Sequence, residues 1–66
     1  MSEGANVGQA VALRESDKAL LVQIIEMEKE VWVPKSQIHD DSEVWKSDQS
    51  GNLVVTNWYA DKQGWI

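Results

Sequence analysis

The stretch Val31-Trp32-Val33-Pro34-Lys35-Ser36-Gln37-Ile38 decides the fold. Val31 to Val33 read as the end of a β-strand, because β-branched and aromatic side chains fit a pleated, half-buried surface. Pro34 has no N–H to give a neighbouring strand, so pairing ends there. Ser36 can then bond local backbone in a single 3-10 turn. Ile38 returns an apolar side chain to the core. A strand, a stop and a one-turn link of this kind belong to a small β domain with short connections.

Working outward, residues 18–25 are nearly continuously apolar, and Val22, Ile24 and Ile25 favour a strand over a buried helix. Such a run predicts a strand covered on both faces. Residues 26–29 then form a hairpin loop between that strand and residues 30–33. Upstream, residues 9–14 are a short strand with Val11 and Leu13 on one face and Ala10 and Ala12 on the other, followed by a turn at residues 15–17. Residues 1–8, with Gly4 and Gly8, read as a flexible tail, which leaves residues 9–66 as one small β domain. Downstream, residues 43–46 predict a further short strand, 47–52 a loop, and 53–56 a last strand. Asn57 as N-cap and Gly64 just past the end bracket a helix of about two turns. A helix that short needs Trp58 or Tyr59 packed against the sheet, and Trp65 and Ile66 are expected to fold back onto it. The fold class is therefore mainly β: a four- or five-stranded small barrel or twisted antiparallel sheet with a short C-terminal helix.

The link over residues 31–38 resembles the segment before the last strand of SH3 domains, which implies an SH3-like small barrel. The acidic-aromatic motif that lines the SH3 proline-peptide groove is not visible, so proline-peptide recognition is not implied. Residues 18–66 as a whole look like a short domain of small phage and prophage reading frames. Its marks are the 31–38 string, the following Asp40-Asp41-Ser42-Glu43-Val44, and the closing Trp58-Tyr59-Ala60 with Lys62 and Gly64. That resemblance implies origin rather than activity.

Composition narrows the function. The chain has 66 residues, 11 acidic and 6 basic, and a net charge of −5. A domain this size buries only about 60% of its unfolded surface. No cysteine is present to staple it, which fits a reducing compartment, and the four tryptophans partly compensate. No apolar run reaches the roughly 20 residues of a membrane span, and no basic-then-apolar leader opens the sequence. A cytoplasmic protein, monomer or homodimer, is expected.

The sequence offers little for catalysis. His39 beside Asp40, Asp41 and Glu43 lacks converging geometry for a metal, since adjacent residues point apart. His39 and Asp40 have no marked nucleophile, and Gly4 and Gly8 are not a phosphate loop. Neither an enzyme nor a cofactor or metal is expected. The carboxylates, in contrast, are clustered: Glu26, Glu28 and Glu30 in one group, Asp40, Asp41, Glu43 and Asp48 in another. Carboxylates at fixed separations can pair with Lys and Arg that otherwise hold phosphates. These seven residues, with Trp45 as an exposed anchor, are the expected partner-binding set. The expected function is a non-enzymatic acidic protein that occupies a basic, nucleic-acid-binding site on a partner protein. A phage-encoded inhibitor of host defence, anti-CRISPR in kind, works by this logic. The alternative is an accessory single-stranded nucleic-acid-binding module that uses exposed tryptophans, with Trp32 and Trp58 otherwise expected in the core.

Overall fold

Alternation along the strands determines which side chains the sheet buries. The computed structural model describes residues 4–65. Strands β1 (Gly4–Glu15), β2 (Ala19–Ile24), β3 (Lys29–Pro34) and β4 (Ser50–Thr56) form one antiparallel sheet in the order β3-β2-β1-β4. A 3-10 turn (Lys35–Gln37) follows β3, and helix α1 (Asn57–Gln63) follows β4. The protein is thus mainly β, with four strands and one short C-terminal helix. Pro34 does end β3, and Ile38 bridges to Val55 of β4 after the 3-10 turn.

Ala10 and Ala12 of β1, Leu20, Val22 and Ile24 of β2, Val33 of β3 and Leu53 and Val55 of β4 point to one side and form the core. Val44, from the link between β3 and β4, and Tyr59 and Ala60 of α1 close over it. Burying one such aliphatic side chain stabilises the fold by roughly 1.5–3 kcal/mol. Strand β2 is therefore covered on one face only. Gln23 is exposed and Leu21 half-buried, which corrects the expectation of a strand enclosed on both sides.

Several element boundaries differ from the sequence reading. Residues 4–8 are strand, not tail: Gly4 pairs with Thr56 and buried Ala5 with Val55. The pairing shifts register between Asn6 and Gly8, where Gly8 takes φ 105° and its N–H donates to the Asn6 side chain at 2.9 Å. A glycine that looked like frayed chain is thus a bulge residue in a left-handed conformation. The rest of the expected tail, residues 1–3, lies outside the described residues, as does Ile66. Residues 43–46 form no strand, and β4 begins at Ser50 rather than residue 53. Finally, the N-cap of α1 is Thr56, whose hydroxyl accepts from the Tyr59 N–H at 3.2 Å, one residue before the expected Asn57. Gly64 is the left-handed C-cap at φ 75°.

The tryptophans also redistribute. Trp32 and Trp58 are 49% and 61% exposed, so neither belongs to the core. Tyr59 fixes the helix instead, buried against the sheet with its hydroxyl donating to the Trp32 carbonyl at 3.3 Å. Trp65 packs edge-on against Tyr59, with ring centroids 5.7 Å apart.

Candidate interaction surface

The link between β3 and β4 carries most of the candidate residues, and hydrogen bonds to strand edges hold it. The outward edge of β4 meets the link at Asn52 and Val54. The His39 N–H donates to the Val54 carbonyl at 2.9 Å, and the Glu43 N–H to the Asn52 carbonyl at 3.0 Å. The edge N–H groups are met by side chains: Val54 N–H donates to Ser42 Oγ at 3.1 Å and Asn52 N–H to Glu43 Oε1 at 2.8 Å. The segment therefore finishes the sheet edge without becoming a strand, because Ser42 and Glu43 side chains replace backbone partners. Ser42 is buried, and its hydroxyl also donates to the Val44 carbonyl at 2.8 Å.

Beyond Val44 the chain turns around a side-chain amide. Gln49 Oε1 accepts from the Trp45 and Lys46 N–H groups at 2.9 and 3.1 Å. The Ala12 N–H donates to the Gln49 carbonyl at 2.8 Å, and the Asp48 N–H to the Ala12 carbonyl at 3.1 Å, anchoring the turn to β1. Asp48 sits there at φ 71°, a left-handed position that aspartate tolerates better than most residues. The Ser47 N–H donates to Glu15 at 3.1 Å. Glu15 also pairs with Lys35, and the Lys35 hydrogen bond, then the Ser47 N–H, hold its carboxyl below the usual range.

Trp45 emerges from this bound turn 55% exposed, with the Lys46 ammonium 5.4 Å from its ring centroid. A shallow groove of about 310 Å³ runs beside it, lined by Lys35, Ile38, His39, Asp40, Ser42 and Trp45. Asp40 is exposed on its rim. Asp41 is exposed too, and its N–H donates to His39 Nδ1 at 3.1 Å, so it is Asp41 rather than Asp40 that engages the imidazole. A larger open hollow of about 770 Å³ lies on the other side of Lys35, between the β1–β2 turn and Ser47 and Asp48. Among the described residues no group of three His, Asp or Glu side chains is arranged to hold a metal ion.

The expected partner-binding residues do not act as one set. Asp40, Asp41 and Trp45 are together and exposed. Glu43 is committed to the Asn52 N–H. Glu26, Glu28 and Glu30 belong to the β2–β3 hairpin, at the other edge of the strand order from the link along β4. Glu28 occupies the hairpin turn at φ 53°, and the Glu26 carboxylate lies against Gly8. The structural roles of Ser42, Gln49 and Glu15 had no sequence signal, because each depends on a strand edge or turn brought up from elsewhere in the chain. No helix among the described residues is long and apolar enough to cross a membrane. In comparisons with known proteins, no family model, curated protein or solved structure matches the chain.

Proposed function

We propose that the protein is a non-enzymatic interaction module that docks through Trp45, Asp40 and Asp41 onto a basic surface of a partner protein. The observation that carries this is an exposed tryptophan on a turn fixed by side-chain hydrogen bonds, sharing a groove with an exposed carboxylate. A rigid aromatic anchor loses little conformational entropy on binding, and the bordering carboxylates select Lys and Arg. The surface suits a partner whose cations otherwise bind phosphates. The chain then acts as an inhibitor by occupancy, the logic of a phage-encoded, anti-CRISPR-like antagonist of a host nucleic-acid-binding complex. Because the hairpin carboxylates stand apart from the link, the binding set contracts to the link and leaves Glu26, Glu28 and Glu30 outside it.

The test is affinity capture from bacterial lysate with the wild-type chain, Trp45→Ala, and the pair Asp40→Lys with Asp41→Lys. Exposed charges change stability by about ±0.5 kcal/mol, so the charge pair leaves the melting temperature nearly unchanged. It weakens partner binding about tenfold or more, since interfacial charge pairs cost roughly 2–5 kcal/mol when broken. Added DNA competes with the chain for the captured protein. A partner retained equally by all three proteins, or untouched by DNA, overturns the reading.

One observation favours a second reading. Trp32, Trp45 and Trp58 are all exposed; Lys46 stands 5.4 Å from the Trp45 centroid and Lys62 5.4 Å from the Trp58 centroid. Exposed indoles beside cations are the elements of a single-stranded nucleic-acid site. The net charge of −5 opposes it.

A further inference from the structure

Over β3, β2 and the second half of β1, the face opposite the core carries exposed and half-buried side chains. Cross-strand pairing fixes which residues share it. Trp32 of β3, Leu21 of β2 and Arg14 of β1 form one row, because Leu21 pairs with both of the others. Glu30, Gln23 and Val11 form the next row. Leu13 bulges out beside Arg14 and is 40% exposed. A contiguous apolar strip of Trp32, Leu21, Val11 and Leu13 on so small a domain is more than scattered surface apolarity.

Both ends of the sheet order are partly occupied. The β4 edge is finished by residues 39–43. On β3, Pro34 has no N–H and the Trp32 carbonyl already accepts from Tyr59. The face carries the apolar strip that association can bury. In these two rows the only charges are Arg14 and Glu30, one of each sign, in a chain of net charge −5. Two copies can approach here without the repulsion that their acidic surfaces impose elsewhere.

We propose that a second copy of this chain docks on this face, as an isologous dimer about a twofold axis parallel to β2. Such an axis exchanges the β3 and β1 sides while keeping each row in place. Leu21 meets Leu21 at the centre. Trp32 of each copy lies over Arg14 of the other, a stacking that guanidinium and indole favour. Glu30 of each copy arrives diagonal to the same Arg14, roughly 7–8 Å along the strand and within reach of its long side chain. The two sheets pack face to face, roughly 10 Å apart, with their β2 strands aligned. Arg14, exposed and without an ion pair among the described residues, thereby gains an aromatic and a carboxylate partner.

Sedimentation equilibrium on the full chain over a concentration series tests this. The wild type shows a concentration-dependent shift from monomer to dimer mass. Arg14→Glu meets Glu30 of the other copy and weakens the dimer about tenfold or more, whereas Arg14→Glu with Glu30→Arg restores it by exchanging the charges. Trp32→Ala also weakens the dimer, and melting temperatures of all variants verify folding. A wild type that stays monomeric at millimolar concentration overturns the proposal. So does a dimer indifferent to Arg14→Glu, or a charge exchange that restores nothing. Binding of a basic partner through Trp45 uses the link along β4 and is scored separately, so either result stands without the other.

Discussion

Glu15 is exposed, yet its carboxylate joins three parts of the chain. It ends β1, pairs with Lys35 in the 3-10 turn, and accepts the Ser47 N–H from the turn before β4. The Lys35 hydrogen bond, with that of Ser47, lowers its pKa against a smaller opposing effect of desolvation. A lowered folded pKa means that the ionised form stabilises the fold. That contribution is complete above the ordinary glutamate value of about 4.3 and is lost as pH falls through the lowered folded value. Glu15→Gln therefore melts below the wild type at pH 7, and the two melting curves converge in acid, at pH values under about 4. A gap that stays constant across that range shows that packing, not charge, distinguishes the two proteins. Solvent screening keeps the effect small, as for other exposed ion pairs.

At the scale of elements, the edge of β4 shows how a side chain can stand in for a strand. The Val54 N–H has Ser42 Oγ as its partner, and Ser42 is buried. Ser42→Ala leaves that N–H, and the Val44 groups that the same hydroxyl serves, without their partner. A buried group left unpaired costs roughly 1–3 kcal/mol. Urea unfolding of Ser42→Ala is expected to show a loss of that size, against a change within about 0.5 kcal/mol for Ser36→Ala, which is exposed. Equal effects at the two serines refute the edge role. The same edge explains what the sequence made legible. Strands β2 and β3, their hairpin, the stop at Pro34 and the cap at Gly64 follow from local chemistry: β-branched runs, a missing N–H, a residue free to turn left-handed. Residues 43–46 carry a strand-like Glu-Val-Trp-Lys pattern, but Val44 enters the core as a single plug and Glu43 bonds sideways to Asn52. Which residues do so depends on where β4 lies, and that is a long-range fact. For the same reason Trp45 was legible as an exposed anchor from its charged neighbours. Trp32 was not, since the face it occupies is set by pairing with Leu21.

Over the whole molecule, the surface sets aromatic opportunity against electrostatic repulsion. Three tryptophans are about half exposed or more, and each base stacked on such a ring contributes roughly 1–3 kcal/mol. Binding a single strand also requires cations that replace the counterions of its phosphates. Here Lys46 and Lys62 are near the Trp45 and Trp58 rings, but 11 carboxylates face 6 basic side chains. Those lysines already lie over the indole faces, so a base must displace them before it can stack. Long-range repulsion from a net charge of −5 then opposes each phosphate brought close. The expected outcome, read by fluorescence polarisation with a labelled oligothymidine at physiological salt, is binding weaker than about 10⁻⁴ M, beyond the ordinary range of non-specific contacts. Trp45→Ala and Trp58→Ala leave that result unchanged. Low-micromolar binding that falls on replacing either tryptophan, and that weakens as salt rises, assigns the exposed indoles to nucleic acid. It also removes the acidic docking surface as the leading account of this chain.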